Sequence, residues 1–173
     1  MTGSRICILA VAAAIASPSF AHGPGAHVHG VGRLDIAIEG DTLTLALESP
    51  LDNLLGFEHP PTTDRQKAAV RAMAASLNKP AALFVTTPAA ECAATKVKLD
   101  SPVLEPAQKD AGDGHADLDG EFVFHCAHAE ALHDVEIRLF GAFPRLQRLD
   151  VQIAGPRGQA AAVLTAKQPR ASW

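Results

Sequence analysis

The segment "RLDIAIEGDTLTLALES", residues 33–49, places the strongest constraint on how this chain folds. Apolar and polar residues alternate on both sides of "EGDT", and strict alternation is typical of strands that bury one face. The apolar positions are Leu34, Ile36 and Ile38 before "EGDT", and Leu43, Leu45 and Leu47 after it. The pattern therefore predicts a β-hairpin with one face against a core.

Six further runs have strand character, and each is bounded by Gly, Pro, Asp or Asn. They read "ALFVTT", "TKVKLD", "GEFVFHCA", "HDVEIRLF", "RLQRLDVQIAG" and "QAAAVLT". With the hairpin they predict about eight antiparallel strands, either as a sandwich or as a sheet with a helix on one face. We expect a mainly β, single-domain protein with a sandwich-like arrangement, and α+β is the alternative fold class.

One main helix is predicted over about residues 63–77, in "TTDRQKAAVRAMAASLN". Val70, Met73 and Leu77 recur at the three- and four-residue spacing of a buried helix face. The preceding "SPLDNLLGFEHPP" predicts an irregular connection, because it is rich in Pro, Gly and Asn. The stretch at about residues 101–120, "SPVLEPAQKDAGDGHADLDG", predicts an exposed acidic loop.

Residues 1–21 have the pattern of a secretory signal peptide. Arg5 supplies the positive charge, "ICILAVAAAIA" the apolar core, and "SFA" the small residues of a cleavage site. The apolar core is shorter than the ~20 residues that a transmembrane helix needs. We therefore expect an exported protein with no membrane span, whose mature part, residues 22–173, is one domain.

Charge and cysteine content narrow the class of function further. The net charge is −4, and no basic cluster is present to bind nucleic acid or anionic lipid. Cys92 and Cys126 remain after processing and predict a disulfide bond in an oxidising compartment, with a thiolate metal or redox site as the alternative. No GxSxG, HExxH, phosphate-loop or dinucleotide motif occurs, so we do not expect an enzyme.

Three of the eight histidines lie together in "HGPGAHVHG", residues 22–30. If the first strand extends that far, His27 and His29 leave the same face of it, and His22 is close enough to supply a third imidazole. Imidazole ligands suit zinc or copper better than magnesium or calcium. The segment is consistent with one wall of a metal site, and solvated histidines near the N-terminus are the alternative.

The remaining ligands are expected in "FEHPP", where Glu58 and His59 are adjacent. Neighbouring residues of a strand point to opposite sides, so the two act together only if the backbone turns. Gly and Pro beside them permit such a turn. The alternative is that His59 contacts a backbone carbonyl of its own loop.

The other histidines form two weaker candidates. His115 lies in the acidic loop, which either collects cations weakly or is only solvated. His125, His128 and His133 surround Cys126. A polar turn beside the disulfide explains these three without a metal, although they remain candidate ligands.

Four segments together resemble a known family across nearly the whole mature chain. They are "GAHVHGVGRLDIAIEGDTLTLALESPLDNLLGFEH", "TTDRQKAAV", "NKPAALF" and "LFGAFPRLQRLDVQIAGPRGQAAAVLT". The chain is similar to the ZrgA-type zinc-regulated periplasmic family of Gram-negative bacteria. The resemblance implies periplasmic zinc binding beside a zinc-uptake transporter or its binding protein, with His27, His29, Glu58 and His59 on the family's motifs.

One difference from the family concerns the acidic loop. Members often carry a long run of His, Asp and Glu there, whereas this chain has "AQKDAGDGHADLDG" with His115 as its one histidine. This difference argues against a role that depends on holding many ions in this loop. We expect a compact zinc site instead.

Three functions remain open from the sequence. The leading one is a periplasmic zinc-binding accessory, acting as a monomer, that captures Zn²⁺ and passes it on. The second is a periplasmic copper-binding protein, because His22 at a processed N-terminus offers its amine and imidazole together. The third is a structural or partner-binding envelope protein.

Overall fold

A computed structural model of the chain describes residues 28–104 and 116–173. The first two strands, β1 (Val31–Glu39) and β2 (Thr42–Pro50), form the predicted hairpin. Glu39 pairs with Thr42, and Gly40 in the tight turn between them has φ 60°. The signal-peptide prediction for residues 1–21, and the candidate ligands His22, His27 and His115, lie outside the described residues.

Seven more strands follow in the described part, so the fold is mainly β, as expected. They are β3 (Phe84–Thr86), β4 (Cys92–Asp100), β5 (Asp117–Cys126), β6 (Asp134–Ile137), β7 (Arg148–Gly155), β8 (Gly158–Thr165) and β9 (Arg170–Ser172). One sheet has six strands in the order β4-β5-β2-β1-β7-β8, and the other has three in the order β3-β6-β9. The described residues thus contain nine strands rather than about eight.

The expectation that all strands pair antiparallel is wrong at the centre of the large sheet. Strand β1 pairs parallel with β7, with Leu34 opposite Val151. Both β1 and β7 alternate between a buried and an exposed face. Because parallel and antiparallel strands share this two-residue alternation, the pattern of a single strand carries no signal for its direction.

Four α-helices join these strands: α1 (Leu51–Leu55), α2 (Asp64–Leu77), α3 (Pro80–Leu83) and α4 (Leu139–Ala142). The main helix, α2, matches its prediction, since Val70, Met73 and Leu77 are its buried residues and Thr63 forms a capping box with Gln66. The predicted irregular connection is partly wrong, because α1 occupies its start. No described helix is long and apolar enough to span a membrane.

A single core lies on one face of the large sheet. The core-facing side chains of β1 and β2 are buried there in one cluster with Met73 and Leu77 of α2 and with residues of the small sheet. Phe84 of β3 contacts Phe122 of β5, with 4.9 Å between the ring centroids. The small sheet and the helices therefore cover this face, consistent with the expected sandwich-like arrangement.

The disulfide prediction is confirmed. Cys92 and Cys126 are register partners in β4 and β5, with an S–S distance of 2.02 Å. Phe124 and Cys126 are buried while His125 is on the opposite, exposed face, in keeping with the two-residue alternation of a strand.

The boundaries of the predicted acidic loop need correction. Its last four residues, 117–120, begin β5 and pair with the end of β2. Leu118 is fully buried, and this burial makes the segment a strand rather than a solvated loop. Residues 105–115 of the loop lie outside the described part.

Candidate metal centre

His29 lies in a turn that precedes β1. The Val31 N–H donates to the Val28 carbonyl at 3.0 Å, and Gly30 has φ 84°, a conformation that favours glycine. Strand β1 therefore begins only at Val31, so the condition that the first strand extends as far as His29 is not met. The side chain of His29 is positioned by this turn and not by strand alternation.

A buried asparagine holds the turn against α1. Asn53 is 1% exposed. Its Oδ1 accepts from the Gly30 N–H, and its Nδ2 donates to the Val31 carbonyl at 2.9 Å and to Ser49 Oγ at 3.1 Å. Both polar atoms of this buried amide therefore have hydrogen-bond partners, so the side chain is a rigid anchor. The backbone beside His29 is thus attached directly to the first helix.

Two carboxylates approach His29 from opposite sides of its ring. Glu58 Oε1 lies 3.3 Å from Nε2, and Asp52 Oδ2 lies 3.9 Å from Nδ1. The His29 side chain is 60% exposed, whereas those of Asp52 and Glu58 are 12% and 11% exposed. An accessible imidazole therefore stands over two carboxylates that are largely withdrawn from water.

Arg145 holds Asp52 in place. Its Nη2 donates to both carboxylate oxygens, at 2.8 and 2.7 Å, and its Nε donates to the Asp52 backbone carbonyl at 2.9 Å. The arginine side chain lies beside Gly56, where an added Cβ would be 3.6 Å from it. This clamp compensates the buried charge of Asp52 and fixes the side chain that faces His29 Nδ1.

His59 turns away from this group. Its Nδ1 donates to the Pro60 carbonyl at 2.9 Å, and its Nε2 is 3.4 Å from Gln66 Nε2 at the start of α2. Its ring also contacts Phe57, with 5.1 Å between centroids. Glu58 and His59 thus contact different partners. The contact of His59 with a carbonyl of its own loop matches the alternative interpretation of this histidine.

The histidines near the disulfide lie among exposed carboxylates. His125 Nδ1 is 3.4 Å from Asp41 Oδ2, and these side chains are 58% and 61% exposed. His128 lies 3.9 Å from Glu91 and 3.7 Å from Glu130, whose side chains are 68% and 80% exposed. Such pairs are screened by water and hold their geometry weakly.

One carboxylate assigned to the acidic loop is on the exposed face of the large sheet. Burial, together with the nearby charges of Glu48, Asp117 and Asp100, raises the pKa of Asp119 above its ordinary value. Loss of hydration comes first and the neighbouring negative charges second, and both disfavour the ionised form of Asp119. Among the described residues nothing besides this shared charge indicates a ligand here, so we treat Asp119 and its acidic neighbours as a patch of surface charge.

Within residues 28–104 and 116–173, no three His, Cys, Asp or Glu side chains are arranged to hold a metal ion together. Two of the expected ligands, His29 and Glu58, nevertheless lie beside each other in the described part. The sequence predicted both residues but missed the supporting Asp52, Asn53 and Arg145. A usable signal was present, because Asp52 and Asn53 interrupt the apolar "PLDNLLGF", and buried polar groups require partners.

The chain matches a known protein family. A family model described as "ZrgA family zinc uptake protein" matches residues 26–173, which includes every residue of the group around His29. No curated protein matches the chain.

Proposed function

Because the chain belongs to the ZrgA family of zinc uptake proteins, we propose that it captures Zn²⁺ in the periplasm and passes it to an uptake transporter or to that transporter's binding protein. It acts as a binding protein rather than as an enzyme. The observation that carries the proposal is the pairing of an exposed imidazole, His29, with a buried carboxylate, Glu58.

The spacing of this pair suits zinc. Zinc binds imidazole nitrogen and carboxylate oxygen at about 2.0–2.2 Å in tetrahedral geometry, so two such ligands lie about 3.3–3.5 Å apart. His29 Nε2 and Glu58 Oε1 are separated by 3.3 Å. That separation is longer than the usual hydrogen bond between nitrogen and oxygen. It supports a role for both atoms as ligands of one ion.

Asp52 and Arg145 act as positioning residues in this proposal. A histidine that binds zinc commonly donates its other ring N–H to a carboxylate, which fixes the ring and its tautomer. Asp52 faces Nδ1 of His29, the nitrogen opposite to the one that faces Glu58. Arg145 keeps Asp52 from turning into the site as a competing ligand, since it binds both oxygens.

The remaining zinc ligands come from His27 and, secondarily, His22, which precede the described residues. Both imidazoles suit zinc as well as His29 does. His59, His125, His128 and His115 stand outside the tightest site in this proposal. The 60% exposure of His29 supports transfer, because an incoming protein has direct access to the bound ion.

The decisive test compares two double variants of the mature, untagged protein by zinc calorimetry. His27→Ala with His29→Ala should weaken zinc binding at least tenfold, the scale expected when a metal site is disturbed. His125→Ala with His128→Ala should bind zinc like the parent. The reverse result would assign the site to the disulfide strand, and two parent-like variants would exclude all four of these histidines as essential ligands.

A parallel copper titration separates the two metals. The proposal is supported if zinc binding depends on His29 while copper binds weakly or at other residues. Copper binding that is tight, requires the free amine of His22 and excludes zinc would favour the copper function. Absence of binding for either metal would favour a structural or partner-binding envelope protein.

A further inference from the structure

Among the described residues the large sheet ends in strand β8, which lacks the charges, prolines and bulges that commonly prevent edge pairing. Its sequence, "GQAAAVLT", contains no charged residue and no proline. All eight residues pair with β7 in unbroken register, so no bulge interrupts the strand. Within the part of the chain that the structure describes, no strand pairs with the outer side of β8. Thr165 at the end of the strand already exchanges backbone hydrogen bonds with Gln168. Along the rest of β8 a row of backbone donors and acceptors is available.

The side chains at this edge are small and apolar. Ala160 and Ala161 are exposed, and Val163 is 56% exposed, one of two large apolar side chains so exposed among the described residues. Ala161 and Val163 lie opposite Gln152 and Asp150 on the uncovered face of the sheet. An approaching strand would thus meet neither bulk nor charge on β8.

The opposite edge, β4, differs in each respect. It carries Lys96 and Lys98, its register with β5 shifts between Ala94 and Lys96, and Cys92 joins it to β5 by the disulfide. Lysines and irregular register are the devices by which natural sheets prevent edge-to-edge association. One edge of this sheet is closed to pairing, and the other is open.

We propose that β8 is a homodimer interface in which the β8 strands of two copies pair antiparallel around a two-fold axis. A second copy fits because such an interface is self-complementary, with the same strand contributed by both partners. No like charges oppose each other in any register, because β8 has none. The two six-stranded sheets would then form one continuous sheet.

The contrast between the edges also sets the size of the assembly. With β8 used once by each copy and β4 blocked, the assembly closes at two molecules and does not propagate. A single pair of strands is a small contact beside the ~1,200–2,000 Å² of a standard stable interface. The dimer should therefore dissociate on dilution. This inference replaces the expected monomer and does not depend on the proposed zinc function.

Sedimentation velocity of the mature protein over a wide range of concentration tests the proposal, with a chelator present to exclude dimers bridged by zinc. The parent should change from monomer to dimer as concentration rises. Ala161→Lys should remain monomeric, because a lysine on an edge strand opposes edge-to-edge pairing. Ala93→Lys is the matched control, since Ala93 is an exposed residue on the same face of edge strand β4, and it should dimerise like the parent.

Val163→Lys is a second variant at the same edge and should also be monomeric. Circular dichroism establishes that each lysine variant remains folded. A parent that is monomeric at every concentration would overturn the proposal. The proposal would also be overturned if the single variants Ala161→Lys and Val163→Lys both dimerised like the parent. It would likewise be overturned if the chelator abolished the dimer.

Discussion

Two regions at opposite ends of the large sheet each bring histidine close to carboxylates, and they differ in burial. We call the group of His29, Asp52, Asn53, Glu58 and Arg145 the His29 corner. Its imidazole is 60% exposed, and its two facing carboxylates are 12% and 11% exposed. The disulfide end comprises Asp41, Glu91, Glu130 and the histidines 125 and 128, and its facing carboxylates are 61–80% exposed.

Proximity of histidine to carboxylates therefore does not by itself identify a metal site. Distances between histidine and carboxylate atoms run from 3.3 to 3.9 Å in the His29 corner and from 3.4 to 3.9 Å at the disulfide end. A buried carboxylate has already lost part of its hydration, so an arriving cation has less water to displace from it. An exposed carboxylate is hydrated and free to change rotamer. Binding an ion therefore displaces its water and restricts its side chain, and both cost free energy. Preorganisation therefore favours the His29 corner.

The largest expected effect separates stability from metal binding. Replacing both cysteines, Cys92→Ser with Cys126→Ser, should lower the free energy of unfolding by roughly 4 kcal/mol in the chain-entropy treatment of a loop with sequence separation 34. Zinc affinity of the folded variant should not change, because the His29 corner lies at the other end of the sheet. Chemical denaturation and zinc calorimetry measure the two quantities. A parallel fall in zinc affinity would show that the regions are coupled.

The next effect tests the anchor of the His29 corner. Asn53→Ala leaves the Gly30 N–H and the Val31 carbonyl without their side-chain partner, and unsatisfied buried groups cost about 1–3 kcal/mol each. We expect a loss of about 2–3 kcal/mol in stability, together with weaker zinc binding as the turn loosens.

The control for that variant is Asn78→Ala at the end of α2. Its Nδ2 also donates to a backbone carbonyl, that of Ala74 at 2.8 Å, but the contact is exposed. This change should cost about 0.5 kcal/mol or less and leave zinc binding intact. Equal losses of stability in the two variants would argue that burial of Asn53 has no special role.

The smallest of the three effects concerns orientation of the imidazole. Asp52→Asn keeps the shape of the side chain but removes the charge that faces His29 Nδ1, and should weaken zinc binding about tenfold. Asp41→Asn makes the same change beside His125 and should leave zinc affinity unchanged. Calorimetry compares the two variants. Similar affinities for both would mean that Asp52 serves only the ion pair with Arg145.

Much of the fold was predictable because its signals are local. The β1–β2 hairpin, the buried face of α2 and the exposed position of His125 all follow from periodicity within single segments. The disulfide followed from the presence of two cysteines in a chain expected to be exported. Residue type and position also singled out His29 and Glu58 as candidate ligands, although the first strand begins only at Val31 and does not include His29.

By itself the sequence determined which segments form strands and the main helix, which cysteines pair, and which residue types stand ready for zinc. Tertiary structure alone decided that β1 and β7 run parallel, that His59 points away from Glu58, and that Arg145 clamps Asp52 across a separation of 93 residues. The physical reason is range. Periodicity and capping act between near neighbours, whereas strand direction, burial of a carboxylate and the choice of its partner depend on contacts that form only when distant segments pack together.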